Sequence, residues 1–344
     1  MNKIESGEKL DFHNVLIRPK RTTLNSRSEV NLTREFNFKY SSFIWKGIPI
    51  ISANMDSTGT FEVCECLSQH KIVTALHKFY TIEQYKEFSE KKIDPSLFMV
   101  STGINSDAID RLRSIFNVIE CKWICIDIAN GYISNLVDFC KKVREAFPAK
   151  IIVAGNVVTR EIVEELILNG KVDVVKVGIG GGSACTTRLK TGVGMPQLSA
   201  VLECADAAHG VGGHIISDGG ITCPGDMAKA FGGGADFVMV GGRFAGHDQN
   251  PGEVEEIDGK KFKFFHGMSS DKAQHTHYGK MEKYRASEGR VLKIPYKGDL
   301  NNTIQDYLGG LRSTCTYINA SAMKNMAKCT TFVRVSQQVN DLFK

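Results

Sequence analysis

Apolar residues along this chain come in short runs, each followed by an amphipathic or glycine-marked stretch. Eight runs predict strands: Ile48–Met55, Ile72–Phe79, Phe98–Ile104, Trp123–Ala129, Ile151–Asn156, Val172–Val177, His214–Asp218 and Phe237–Gly241. They are rich in Val and Ile and do not alternate cleanly with polar residues, the pattern of strands buried on both faces. Between them, Thr81–Lys92, Ile133–Phe147, Thr159–Asn169 and Met195–His209 have helical spacing. Eight β/α units over roughly 200 residues predict an α/β chain folded as a (β/α)8 TIM barrel. An open, doubly wound sheet is the alternative.

Two regions fall outside this repeat. Residues 1–47 are polar and read as an N-terminal extension before the barrel. Residues 247–300 are charged, contain glycine and have weak periodicity. A long insertion of this kind after the eighth strand reads as a mobile flap over a site. Residues 301–325 resume a helical pattern and would supply the closing helix. No linker divides the chain, so residues 1–344 are expected to form one catalytic domain.

Polar residues and glycines gather just after the predicted strands. They include Asn54-Met55-Asp56, His77-Lys78, Ser101-Thr102-Gly103, Asp127-Ile128-Ala129-Asn130-Gly131, Gly155-Asn156, Asp218-Gly219-Gly220 and Gly241-Gly242. In a barrel all of these meet at the C-terminal face, where barrel enzymes place their sites.

Composition narrows the function. The chain is 42% hydrophobic and 24% charged, ordinary for a soluble globular protein. A net charge of +5 suits an anionic small ligand, and no basic block points to nucleic acid. No apolar run reaches the length of a membrane span. Met1–Ser6 has no signal-peptide character, and Asn340–Lys344 matches no retention or peroxisomal address. The 10 cysteines are scattered without paired C-x-x-C spacing, which argues against zinc and for reduced thiols in a cytoplasmic protein. His209, His214, His247, His266, His275 and His277 show no metal-ligand grouping and carry no assigned role.

The most informative stretch is Val177-Gly178-Ile179-Gly180-Gly181-Gly182-Ser183-Ala184-Cys185-Thr186-Thr187-Arg188. Its glycines open backbone conformations closed to other residues. Gly178-x-Gly180-x-x-Ser183 brushes against a dinucleotide fingerprint, but serine replaces the third glycine and no amphipathic helix opens there. Cys185 sits among hydroxyls and Arg188, a setting that favours a thiolate nucleophile. The bland readings are a flexible loop and a structural thiol. Asp218-Gly219-Gly220 and Gly241-Gly242, after the seventh and eighth strands, suit phosphate binding or simple tight turns. Lys78 and His77 read as catalytic groups or as a solvated lysine beside a packed histidine. In Tyr284-Arg285-Ala286-Ser287-Glu288-Gly289, the arginine suits a phosphate clamp and the glutamate a proton carrier, with an exposed polar loop as the alternative.

Taken together, these residues resemble the IMP dehydrogenase/GMP reductase family over essentially the whole chain. The likeness is carried by Leu16-Ile17-Arg18-Pro19-Lys20, Ala53-Asn54-Met55-Asp56, Asp127 to Gly131, Ala154-Gly155-Asn156-Val157 and Gly182 to Arg188. It continues through Ile215 to Gly220, Gly267-Met268-Ser269-Ser270 and Tyr284 to Gly289. Thr186-Thr187 after the cysteine resembles the reductase branch, where dehydrogenases have Ile-Thr. No pair of cystathionine-β-synthase modules interrupts residues 81–120, and the Arg285 to Gly289 segment also matches the reductases. The chain departs from the family at Gly181, usually proline, and Ala184, usually a larger aliphatic.

The resemblance implies reductive deamination of GMP by NADPH to give IMP, ammonia and NADP. Cys185 would add to purine carbon 2, and Thr187 would relay a proton with Glu288 behind it. GMP would be held by Asp218, Gly219, Gly220, Gly241 and Gly242, with Gly267, Met268, Ser269, Arg285, Ala286, Ser287, Glu288 and Gly289 toward the base and flap. The cofactor would face Lys78, Asp127, Ile128, Ala129, Ile179, Gly180, Met268, Tyr284 and Arg285. Ser26 and Arg27, with Ser313, Thr314, Cys315 and Thr316, would reach it from a neighbouring subunit of a homotetramer. A monovalent cation, potassium, would sit on Gly180, Gly182 and Cys185 near Arg188. The competing readings are an IMP dehydrogenase using the same cysteine and a purine-nucleotide sensor without turnover.

Overall fold

The computed structural model describes residues 4–266 and 291–336. All eight apolar runs become parallel strands: β1 (Ile50–Ser52), β2 (Val73–Leu76), β3 (Phe98–Thr102), β4 (Trp123–Asp127), β5 (Ile151–Val157), β6 (Val174–Val177), β7 (His214–Asp218) and β8 (Phe237–Val240). Each pairs with its neighbour in sequence, and β8 pairs with β1 through Met239 opposite Ile51, so the sheet closes into a barrel. The missing alternation is explained by burial. Every residue of β1, β2, β3, β6 and β8 is buried, one face toward the lumen and the other under helices.

Several strands are shorter than the apolar runs suggest, because backbone groups at their ends enter turns. After Ser52, Met55 N–H donates to Ala53 C=O at 2.8 Å and Gly59 N–H to Met55 C=O at 2.7 Å, which ends β1. The helices begin where polar side chains cap them. Thr60 accepts from Val63 N–H ahead of Phe61–Ser68, and Thr81 and Gln84 form a reciprocal capping box ahead of Ile82–Ser89. The chain passes from Ile82–Ser89 through β3 to Ala108–Phe116 with no inserted module. Helix Leu300–Tyr317 packs against Pro224–Gly232 and Phe61–Ser68, the position expected of a closing helix. Among the described residues, no helix is long and apolar enough to cross a membrane.

Residues 1–47 do precede the barrel as an extension, but they are not polar throughout. Strands Arg34–Phe36 and Trp45–Gly47 form a hairpin whose Phe36 and Trp45, with nearby Phe38, are buried. These rings close the N-terminal end of the barrel against Trp123 and Phe237, the first residues of β4 and β8. Phe36 stacks on Phe237 at 4.6 Å, and Trp45 meets Trp123 edge-on at 6.1 Å. Both indole N–H groups donate to Ser96 C=O at 2.9 Å, so neither is orphaned. Farther out, Val15–Ile17 pairs antiparallel with Phe332–Arg334, tying together segments from opposite ends of the chain.

The histidine reading is also corrected. His209 Nε2 lies 2.8 Å from Asp236 Oδ2, and His214 Nδ1 lies 3.4 Å from Asp236 Oδ1. These ligating atoms all fall within 4.8 Å of one another, a grouping that could hold a metal ion. The Arg34 guanidinium, 3.9 Å from Asp236, already brings positive charge there. Helix Gln197–Gly210, the start of β7 and the residue before β8 bring the three groups together, so their sequence spacing carries no ligand motif. Burial alone would raise the Asp236 carboxyl, but hydrogen bonds from both histidines and their charge outweigh it and hold it below the carboxylate range. Burial would lower His214, yet pairing with Asp236 raises it overall.

The weak periodicity of residues 247–300 conceals a sheet. Glu255–Ile257, Lys260–His266 and Val291–Pro295 form three antiparallel strands in that order. Phe265 from this sheet packs with Ala245 and Ala184 in a small apolar cluster separate from the main core.

Candidate active site

Charged side chains of alternating sign line the C-terminal mouth of the barrel. Lys78 follows β2, Asp127 ends β4, Lys176 lies in β6 and Asp218 ends β7. The Lys176 ammonium lies 2.7 Å from Asp127 Oδ1 and 2.7 Å from Asp218 Oδ2. A register irregularity at Gly155/Val157 in β5 brackets Asn156, whose amide donates to Gly178 C=O at 2.7 Å and to Asp218 Oδ2 at 2.8 Å. Burial would push Asp127 up, but the charge and hydrogen bond of Lys176, with Asn54 and the more distant Lys78, hold its carboxyl below its usual range. Burial would lower Lys176, but the two aspartates raise its ammonium above the ordinary lysine value.

The cysteine loop leaves β6 beside this row. Gly178 and Gly180 take φ of +152° and +80°, and a side chain at Gly178 would come within 1.9 Å of Asp218 C=O. Cys185 N–H donates to Gly182 C=O at 3.0 Å, forming a turn before the short helix Thr187–Thr191. This holds the half-buried Cys185 Sγ 3.1 Å from Thr187 Oγ1. Cys64, Cys121, Cys125 and Cys140, by contrast, are fully buried, and burial pushes all four thiols up, Cys121 to about 11 and Cys125 and Cys140 to about 12. Ala184 anchors the loop by packing on Phe265 and Ala245, where a larger aliphatic would have to share the same space. Arg188 Nη2 donates to Met195 C=O at 2.7 Å, and Nη1 lies 3.4 Å from Asp11.

The loops after β7 and β8 close on this segment. Gly219 and Gly220 take φ of +103° and +78°, and a Cβ on Gly219 would lie 3.2 Å from Gly181 and Gly182 backbone. A Cβ on Gly242 would lie 2.5 Å from Ser183 Oγ, and one on Gly241 would lie 3.3 Å from Met55 Sδ. The four glycines carry no side chains of their own, so their backbone is open to a ligand here, although Ser183 and Met55 side chains lie close to Gly242 and Gly241.

The fold thus brings Lys78, Asp127, Ile128, Ala129, Ile179, Gly180, Gly182, Cys185, Thr187, Asp218, Gly219, Gly220, Gly241 and Gly242 to one end of the barrel. Ser26 and Arg27 lie in or beside a 3-10 turn packed against helix Leu300–Tyr317, which also carries Ser313, Thr314, Cys315 and Thr316. Cys315 is fully buried there, so its neighbours in the helix supply the outward side chains. Gly267, Met268, Ser269, Tyr284, Arg285, Ala286, Ser287, Glu288 and Gly289 lie outside the described residues.

Sequence reasoning missed Lys176. It stands inside the run Val172–Val177 and was absorbed into a buried strand, although a lysine among valines is itself a signal. It also missed Gln197, whose fully buried amide donates to Val177 C=O at 2.8 Å and supports the loop from beneath.

The family described as IMP dehydrogenase / GMP reductase domain matches residues 9–340. A GMP reductase of Yersinia enterocolitica serotype O:8 is 57% identical over 345 residues, covering 99% of each chain. GMP reductases of Yersinia pestis strain Pestoides F and Yersinia pseudotuberculosis serotype O:3 are each 57% identical over 344 residues, again covering 99% of each chain.

Proposed function

This chain belongs to the IMP dehydrogenase / GMP reductase family, and from that premise we propose that it converts GMP to IMP and ammonia with NADPH through a covalent bond at Cys185. The observation that carries the reading is the 3.1 Å contact between Cys185 Sγ and Thr187 Oγ1 in a half-buried loop at the barrel mouth. A thiol beside a hydroxyl supplies both needs of the first half-reaction, a nucleophile and a route for protons.

The Cys185 thiolate adds to purine carbon 2. The 2-amino group takes a proton relayed by Thr187 from Glu288 and leaves as ammonia, and the purine stays bonded to sulfur as a thioimidate. The reduced nicotinamide cofactor, when bound, supplies a hydride to carbon 2. The carbon–sulfur bond then breaks, its electron pair returns to Cys185 as thiolate, and IMP is released.

Asp218 would hold the ribose hydroxyls, and the Gly219-Gly220 and Gly241-Gly242 turns the phosphate. Gly267, Met268, Ser269 and Arg285 to Gly289 would cover the base. Asp127 and Lys78 offer charged partners to the cofactor, with Ile128, Ala129, Ile179, Gly180, Met268, Tyr284 and Arg285 around it. In a homotetramer, Ser26, Arg27 and Ser313 to Thr316 would complete that site from a neighbouring copy. A potassium ion would be held by the carbonyls of Gly180, Gly182 and Cys185, in the loop that also carries Arg188.

Purified protein given GMP and NADPH should consume nicotinamide absorbance and release IMP and ammonia. Absence of IMP overturns the reading, and XMP formed from IMP and NAD would favour a dehydrogenase instead. Glu288→Gln should slow ammonia release by about a hundredfold while hydride transfer changes far less. Equal slowing of both half-reactions would contradict the proton relay.

A further inference from the structure

We propose that Lys176 is a positioning residue that couples the nucleotide and cofactor subsites, an inference that rests on the function proposed above. Its ammonium is enclosed, with 4% of the side chain exposed, whereas Asp127 and Asp218 retain 33% and 20%. The cation therefore lies behind two carboxylates that face the mouth. In the function proposed above, Asp127 serves the cofactor and Asp218 the nucleotide.

The surroundings are built around this lysine. Lys176 pairs in register with Gly155 on β5 and Ile216 on β7. A Cβ on Gly155 would lie 2.4 Å from Lys176 C=O and 2.8 Å from its Cβ, so glycine is what lets the two strands approach. Asn156, the next residue, donates to the same Asp218 oxygen that Lys176 contacts. Burying an ammonium is costly unless it is paired on good geometry, and an apolar residue would fill a strand among valines more cheaply. One cation shared by two ligand-facing carboxylates has a further consequence. A ligand that draws charge or hydrogen bonding from one carboxylate shifts the lysine's hold on the other.

Coupling is read by cross-effects. GMP affinity, measured by calorimetry with no cofactor present, should change about fivefold or more in Asp127→Asn, although in the function proposed above Asp127 serves the cofactor. In a Lys176→Met background the same substitution should leave GMP affinity within about twofold. Lys176→Met alone should weaken GMP about tenfold or more and move the acid limb of kcat/KM to higher pH, since Asp127 loses the cation that holds its carboxyl down. Lys176→Arg, which keeps the charge, should recover most of that loss. A purely structural lysine would lower Tm without moving either the acid limb or the cross-effect.

If Lys176→Met does not fold, the reciprocal pair decides. Asp218→Asn should then change NADPH affinity, read by nicotinamide fluorescence without nucleotide, just as Asp127→Asn changes GMP affinity. Wild-type protein that binds GMP while neither aspartate variant shows a cross-effect overturns the coupling alone. Wild-type protein that binds no GMP overturns the proposed function, and the coupling with it.

Discussion

At the N-terminal end of the barrel, Trp123 and Phe237 meet Phe36, Phe38 and Trp45 in a ring of aromatic contacts. At the C-terminal end, two strands finish in Asp127 and Asp218, Lys176 stands one residue before the end of β6, and turns rich in glycine follow. A single five-residue strand spans this contrast, for β4 begins at Trp123 and ends at Asp127. The closed end buries large rings and satisfies their polar atoms internally. The open end keeps charges partly exposed and backbone accessible, and relies on glycine where a Cβ would collide. Stability and chemistry are thus separated along the strand axis, as the barrel architecture permits.

This separation is sharpest at Cys185. Cys185→Ala should lower turnover by about ten-thousandfold or more while nucleotide still binds and Tm barely moves. A large fall in Tm would break the contrast, because it would make the loop part of the stabilising core.

The closed end should behave in the opposite way. Trp45→Ala should cost about 3–5 kcal/mol of stability through the cavity it leaves, read by denaturant unfolding. Activity per folded molecule should remain near wild type. Loss of turnover in fully folded variant protein would show that the plug also shapes the mouth.

Next in size is the Asp236 cluster, also at the closed end. Asp236→Asn should destabilise by about 3 kcal/mol by removing a buried carboxylate from half-buried His214 and Arg34 and from the more exposed His209. The sign of its pH dependence follows from both partners. Asp236 is held below its unfolded value, so its contribution is lost as pH falls through the folded value. His214 is raised, so its contribution is present below the unfolded value and lost as pH climbs through the folded one. The deficit should therefore be greatest between about pH 4 and pH 6.5 and shrink on the alkaline side. A deficit that grows steadily toward high pH would contradict the pairing.

The smallest expected effect is at a turn of the open end. Gly219 has φ of +103° with Gly181 and Gly182 backbone close by, so Gly219→Ala should cost about 1–2 kcal/mol and raise the KM for nucleotide more than it changes kcat. Stability loss with an unchanged KM would place the turn outside the nucleotide cradle.

Much of the open end was legible along the chain. Each apolar run ends in its own polar or glycine signal, and barrel topology alone carries those ends to one face. Cys185 stood out because hydroxyls and an arginine flank it in sequence, and in space Thr187 Oγ1 lies beside it. Lys176 did not, because its partners Asp127 and Asp218 lie on other strands and nothing local marks a lysine in a valine run as paired. The closed end was harder still. Val30, Leu32, Phe36, Phe38 and Tyr40 do alternate with polar residues, a strand-like signal, but the reading as a polar extension passed over it, and the rings' partners Trp123 and Phe237 lie on distant strands. His209, His214 and Asp236 have no ligand spacing, and Val15–Ile17 meets Phe332–Arg334 from the far end of the chain.

Local composition by itself determined the number and order of β/α units, the face on which their loops gather and the cysteine set among hydroxyls. These follow from short-range patterns of burial and backbone freedom, which neighbours in sequence encode directly. Tertiary structure alone decided which charges share a cation, which rings close the barrel and which histidines reach a carboxylate. Each of those contacts joins residues from different strands or segments. Its energy depends on distance and desolvation, and both exist only once the barrel has closed.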